Sequence, residues 1–273
     1  MRVGGRRDLK RFSQFLIPLV IAVFAIAAVV LFTQFTQRKT ENPFKSFSEI
    51  QVGEREISVL FLGESTFVLK TVRHTIIIDP ASKISRDDAK ILGKVDAILI
   101  THEHSDHFVS GATLNLHQEF NCPVIVNKGA YESLKNSISE EGKLILMNSG
   151  ETVILDGIIV EAVEADHPAD SPLMYVVTLD DITILHASDS GFVQSLERFS
   201  GRIDLALLPI GSPSPSASPS DALEMARAVM PKKIIMMHGS ASEFSEFKDL
   251  IEDSGLNTAI EEVEASKPRK ISL

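Results

Sequence analysis

Residues 101–107 read Thr101-His102-Glu103-His104-Ser105-Asp106-His107, directly after the apolar run Ala97-Ile98-Leu99-Ile100. Four side chains able to hold a metal ion fall within six positions. Side chains of an extended chain alternate with period 2, so His102 and His104 point to the same side. Asp106 and His107 follow where a helix is expected to begin, and they aim at a second point a few ångströms away. Imidazole and carboxylate are the ligands that suit zinc and similar divalent cations. The alternative is a solvated polar loop, and it requires three of the chain's eight histidines to gather there by accident. The stretch is read as a metal-binding loop at a strand end.

Three further candidates close apolar runs of their own. His167 follows the run 160–166, Asp189 follows 184–188, and His238 follows Ile234-Ile235-Met236-Met237 and precedes Gly239. Singly, each has a plainer explanation. A lone histidine is more often a surface or hydrogen-bonded residue, and Asp189 suits a turn or the N-cap of a helix at Phe192. Together with the loop they set five histidines at strand ends in ligand-like settings. His74, in a turn, and His117, on a helix, are given no metal role.

The elements that must position these residues alternate with turn signals. Strands are expected at 57–62, 66–70, 75–79, 96–100, 124–127, 144–147, 152–155, 158–165, 174–179, 182–186, 205–208 and 233–237. The Asp156-Gly157 pair between two apolar runs is a hairpin signal. Helices are expected at 87–92, 111–120, 130–137, 221–229 and 243–252. Strands dominate both halves with helices interspersed, which predicts an α+β sandwich: two sheets face to face with helices outside, an αββα arrangement.

At 273 residues, 44% hydrophobic and 23% charged, the chain suits one globular domain plus an extra segment. That segment is N-terminal. Positions 12–37 carry no charge, and about 20 helical residues at about 1.5 Å each cover the roughly 30 Å core of a bilayer. Pro18 is tolerable in a spanning helix. A buried core helix of such length would carry polar punctuation. A cleaved signal peptide would have a shorter apolar region and a small-residue cleavage site. Arg6-Arg7 hints at a twin-arginine signal, but Lys10 stands where an apolar residue is expected. The segments are therefore read as a basic cytoplasmic tail (1–11), a transmembrane helix (12–37), a linker (38–55) and a globular domain (56–273). Arg2, Arg6, Arg7, Lys10 and Arg11 precede the span, so the positive-inside rule keeps the N-terminus in the cytoplasm and the domain outside, in a single-pass cell-membrane protein.

Beyond residue 37 the chain carries 22 basic against 36 acidic residues, a net −14. Such a domain is repelled by nucleic-acid phosphates and by anionic head groups. Cys122, the only cysteine, excludes an intrachain disulfide and is read as a small buried hydrophobe.

In order, Leu62-Gly63-Glu64-Ser65, Ile78-Asp79-Pro80, the 101–107 signature, Asp166-His167, the segment His186–Gly191, Leu208-Pro209-Ile210-Gly211 and His238 resemble the motifs of the metallo-β-lactamase fold hydrolases, over roughly residues 56–265. Details are most similar to the branch containing ascorbate-phosphate lactonase and N-acylphosphatidylethanolamine phospholipase D, with Pro231-Lys232-Lys233 and His238 fitting its terminal pattern. The resemblance implies two divalent ions, zinc first, with manganese and iron as the other candidates. His102, His104 and His167 would hold the first ion. Asp106, His107 and His238 would hold the second, with Asp189 bridging the two. A water between the ions would be the nucleophile, with Asp106 orienting it. Asp79 and His186 would stand behind the ligands.

Where relatives commonly carry Gly-His-Ser, this chain has Gly63-Glu64-Ser65. The Ser/Pro-rich loop 211–220 is read as flexible and solvated. The implied activity is hydrolysis of an ester, lactone, amide or phosphodiester in a small-molecule or lipid-like substrate. Two other classes share these residues. An iron enzyme of oxygen or sulfur chemistry is one, although diiron relatives carry Glu where this chain has His104. A non-catalytic metal-binding membrane protein is the other, and it would be expected to have lost ligands.

Overall fold

Runs rich in isoleucine and valine, such as Ile76-Ile77-Ile78, favour strands because branched side chains pack well on a pleated surface buried on both faces. The computed structural model describes residues 42–273, and Pro43–Leu273 forms one compact unit. The tail and membrane-span readings of 1–11 and 12–37 lie outside the described residues. Among the described residues no helix is long and apolar enough to cross a membrane.

The first half runs α1 (Pro43–Glu49), β1 (Glu56–Phe61), β2 (Phe67–Lys70), β3 (Thr75–Ile78), α2 (Arg86–Leu92), β4 (Ala97–Ile100), α3 (Ser110–Phe120), β5 (Val124–Val126), α4 (Lys128–Leu134) and β6 (Leu144–Leu146). The second half runs β7 (Thr152–Leu155), β8 (Ile158–Glu164), β9 (Leu173–Leu179) and β10 (Ile182–His186), then a 3-10 turn at Gln194–Phe199. It continues with β11 (Leu205–Pro209), α5 (Pro219–Val229), β12 (Lys233–Met237), α6 (Ala241–Ser254), β13 (Ala259–Ile260) and β14 (Arg269–Ser272).

Two seven-stranded sheets result, ordered β14-β1-β2-β3-β4-β5-β6 and β13-β12-β11-β10-β9-β8-β7. Each switches once from antiparallel to parallel pairing, at β3/β4 in the first sheet and at β10/β11 in the second. Alternation sorts the side chains into layers. Ile57, Val59, Ile76, Ile78 and Leu99 pack with Val160, Ala162, Tyr175, Val177 and Leu207 in one core. The alternate residues Leu60, Ile77, Ile98 and Ile100 join Leu116, Ala130 and Leu134 of α3 and α4 in another. Val176, Leu185, Ala206 and Leu208 join residues of α5 and α6 in a third. The expected sandwich with helices outside is what forms. Tyr175 links sheet to sheet at depth: fully buried, it donates its hydroxyl to the Ile100 carbonyl at 2.9 Å.

The segment read as a linker departs from expectation. Within 38–55, Pro43–Glu49 is a helix, and Phe44 and Phe47 are 4% and 1% exposed, packed with Leu60 and Ile77. Residues three apart share a helix face, so two phenylalanines suffice to dock one short helix despite mixed polarity around them. The compact unit thus starts before residue 56. The 3-10 turn and the strands β13 and β14 were not expected from sequence. Their runs are short, and β14 becomes a strand by pairing with β1 from the far end of the chain.

Truncating Phe47 tests whether α1 belongs to the folded unit. Phe47→Ala should lower the stability of the domain by about 3–5 kcal/mol, measured by urea unfolding. A change below about 1 kcal/mol would return the segment to the status of a linker.

Candidate metal centre

Every expected ligand sits just past the C-terminal end of a strand. The loop after β4 supplies His102, His104, Asp106 and His107. His167 follows β8, Asp189 follows β10, and His238 follows β12. The loop after β4 is tighter than expected. His107 N and Phe108 N both donate to the His104 carbonyl, at 3.0 and 2.8 Å, and Ala81 N donates to the His107 carbonyl at 2.9 Å. Helix α3 therefore begins only at Ser110, and a turn, not a first helical residue, carries Asp106 and His107. Asp189 caps no helix either: the element after it is the 3-10 turn, with Val193 at its N-cap.

The structure gathers all seven residues into two groups. His102, His104 and His167 form one; Asp106, His107, Asp189 and His238 form the other; within each, the ligand atoms lie within 4.8 Å of one another. His167 Nε2 is 3.1 Å from His104 Nδ1. Asp189 Oδ1 is 3.0 Å from His107 Nε2 and 2.9 Å from His238 Nε2. The groups adjoin, since the rings of His102 and His107 are 3.9 Å apart between centroids.

Several of these atoms are buried without a hydrogen bond: His102 Nε2, His107 Nε2, His167 Nδ1, Asp189 Oδ1 and both ring nitrogens of His238. A buried polar atom left unpaired costs about 1–3 kcal/mol. Gathered in two adjoining groups, they call for a partner in each. The donor types, imidazole nitrogen and carboxylate oxygen, fit divalent cations.

Behind these ligands stands a hydrogen-bonded support. Asp79, fully buried, accepts from Thr101 N at 2.8 Å, from Thr101 Oγ1 at 2.7 Å and from His107 Nδ1 at 2.8 Å. With a cation in place of the second proton, the His107 proton would stay on Nδ1 toward Asp79 and Nε2 would offer its lone pair on the Asp189 side. Thr101 Oγ1, having given its proton to Asp79, can accept from His102 Nδ1 at 3.1 Å. His186 Nε2 donates to the Ser65 carbonyl at 3.0 Å, while its Nδ1 accepts from Ser188 N at 3.2 Å. Ser65 Oγ is 2.9 Å from His107 Nδ1.

Burial pushes His102 down to about 2, and the charge on His107 adds to the effect. For His107 burial also opposes charge, but Asp79 and Asp189 outweigh it and hold the ring up to about 10. Burial alone would raise Asp189; the His107 and His238 rings beside it hold it well below the usual carboxylate range instead. Two buried carboxylates thus demand positive charge at the centre, which a cation can supply in place of a proton.

Sequence reading missed the grip on the Ser/Pro loop. Ser214, 8% exposed, donates from Oγ to the Asp189 carbonyl at 2.7 Å, and Ser216 N and Ala217 N donate to that Oγ. Ile210 N and Gly211 N donate to the His238 carbonyl at 2.8 and 2.9 Å, and Ser212 N donates to Glu243. The loop is therefore a wall fastened to two ligand segments, not a solvated tether. Nothing in its composition distinguishes the two cases. Glu64, at positive φ, pairs with Lys83 at 3.0 Å.

The profile of the beta-lactamase superfamily domain matches residues 58–238. The chain belongs to the metallo-β-lactamase superfamily. It is 33% identical over 221 residues to a UPF0173 metal-dependent hydrolase of Pyrococcus horikoshii, covering 72% of this chain and 93% of the relative. A UPF0173 metal-dependent hydrolase of Pyrobaculum islandicum is 32% identical over 196 residues, covering 67% and 84%. Among solved structures, a metallo hydrolase of the archaeon Ignicoccus hospitalis shares the fold, with a TM-score of 0.67 at 22% identity over 80% of this chain and 99% of that one. The protein is a metal-dependent hydrolase of this superfamily.

Asp79→Asn tests the support behind the ligands. The amide would turn one acceptor into a donor facing three donors, and should cost about 1–3 kcal/mol in the metal-free protein. Metal affinity should fall about 10–100-fold, read by competition with a chromophoric chelator. Wild-type stability together with wild-type affinity would refute the supporting role.

Proposed function

We propose that the protein is a membrane-anchored hydrolase with two divalent ions, zinc the first candidate and manganese or iron the others, acting on an ester, lactone, amide or phosphodiester. The observation that carries this reading is the set of orphaned nitrogen and oxygen atoms converging in two adjoining groups. His102, His104 and His167 would hold one ion, Asp106, His107 and His238 the other, and Asp189, which the structure groups with the second set, would reach both. When bound, such ions supply an acidified water as nucleophile and positive charge for the oxyanion that develops.

The chain's own residues supply the rest. His102, His107 and Asp189 are buried, whereas His104 and Asp106 are partly open, so substrate approaches from the His104–Asp106 side. Asp106, with a side chain 32% exposed, is the carboxylate placed to orient a water at this opening. The loop 211–217 is fastened beside Asp189 through Ser214. The likeness to the lactonase and phospholipase D branch supports an ester or phosphodiester substrate. The uncharged run 12–37 behind five basic residues supports a single-pass anchor with the domain outside the cytoplasm, and an anchored enzyme suits a lipid-like substrate. The net −14 beyond residue 37 argues against nucleic acid.

Elemental analysis should find close to two transition-metal ions per chain. Asp189→Ala should lower that content and reduce hydrolysis of a reporter ester, lactone or phosphodiester at least about 100-fold, equivalent to about 2.7 kcal/mol of transition-state stabilisation. His117→Ala serves as control, because among the described residues the His117 ring bonds only the Cys122 carbonyl, on the flank of α3. No metal before or after reloading, or equal activity in both variants, refutes the dinuclear reading.

Protease added to intact cells tests the anchor. It should remove the domain and leave a small membrane-protected fragment. Protection of the whole domain reverses the orientation, and a soluble mature form replaces the anchor with a cleaved signal.

A further inference from the structure

Glu103 lies between His102 and His104 in sequence, yet its carboxylate belongs to neither ligand group. Its Oε1 accepts from Asp170 N at 2.7 Å, and its Oε2 accepts from Asn127 Nδ2 at 3.0 Å. The same Asn127 amide donates to the Asp170 carbonyl at 2.8 Å. A ring of three hydrogen bonds results, in which both backbone groups of Asp170 are satisfied. Asn127, fully buried, also accepts from Ala130 N at 3.1 Å and so caps α4. The ring ties together the loop after β4, the junction of β5 with α4, and the loop between β8 and β9.

That last loop carries His167. The chain on its near side is held at Asp166, which accepts from Gly191 N at 3.0 Å and donates to Ser190 Oγ at 2.8 Å. On its far side it is held at Asp170, by the Glu103 ring. His167 therefore hangs between two pins four residues apart, outside any regular strand pairing. His102 and His104 arrive on the segment that contains Glu103 itself. One carboxylate thus sets the position of the first two ligands relative to the third.

The neighbouring glycine shows how closely the ring is fitted. A Cβ on Gly129 would come within 2.2 Å of Glu103 Oε2. The obstructing atom is the end of a flexible side chain, so a methyl group there would displace the carboxylate rather than the backbone. The bland alternative, a surface acid in a solvent-screened ion pair, does not fit. The partners of Glu103 are a buried amide and a backbone N–H, not a lysine.

The geometry points to Glu103 as a positioning residue that holds His167 against His102 and His104, and so sets the affinity of that group alone for its cation. This rests on the two-ion reading above. Removing a partner that orients a ligand typically costs 10–100-fold in metal affinity.

The test is zinc titration of the full-length apoprotein against a chromophoric chelator. His167→Ala identifies the class of site formed by the first group. Glu103→Gln, which sets an amide donor against a donor, should weaken that same class about 10–100-fold and leave the other class unchanged. Gly129→Ala should do likewise, with an apoprotein unfolding midpoint near wild type. In a Glu103→Ala background Gly129→Ala should add nothing further, because the group it displaces is gone. Unchanged zinc affinities, equal losses in both classes, or additive effects of the two substitutions overturn the positioning role. A wild-type protein that takes up no zinc at all overturns the two-ion reading, and this inference with it.

Discussion

The centre depends on one buried carboxylate. Asp79 stands at the end of β3, at φ +47°, fully enclosed, with three donors pointed at it. A charge so placed is tolerated only when it is fully hydrogen-bonded, and removing any partner leaves it uncompensated. That requirement fixes Thr101 at the end of β4, and with it the direction in which His102 leaves the strand. It also faces His107 Nδ1, so that with a cation bound the His107 proton would stay there and Nε2 would be free for the centre. Thr66 Oγ1, donating to the Asp79 carbonyl, extends the same constraint to the start of β2.

Architecture explains why this carboxylate governs so much. In each sheet, pairing changes from antiparallel to parallel next to a strand that delivers a site residue: Asp79 after β3 in one, Asp189 after β10 in the other. The loops beyond these strand ends, from both sheets, bring the seven candidate residues together in the two adjoining groups. Rigid strands on both sides spare the site the cost of ordering loops, apart from the loop that carries His167 and the wall 211–217. Each of those is fastened by side-chain hydrogen bonds, from Glu103 and Asn127 in one case and from Ser214 and Glu243 in the other.

The burial pattern fits a centre open on one side. His102, His107 and His238 are 0–4% exposed, so little solvent competes with them for a cation. His104 and Asp106 lie toward the opening.

Much was legible in the sequence because local rules govern it. Period-2 alternation and β-branched runs located the strands from β1 to β12, and the crowding of His102, His104, Asp106 and His107 announced a metal-binding loop. Motif order made His167, Asp189 and His238 candidates. What sequence left open were features set by partners remote along the chain. Phe44 and Phe47 look like part of a linker until the face beneath them exists to bury them. Loop 211–220 looks solvated until Ser214 finds the Asp189 carbonyl, and Arg269–Ser272 becomes a strand only by pairing with β1. Glu103 looks like one more polar residue between histidines until Asp170, 67 positions on, and Asn127 close a ring around it. Side-chain type and spacing decide which atoms are available for bonding. Only the packed chain decides which of them meet, because the energy of a buried hydrogen bond belongs to the pair and not to either residue.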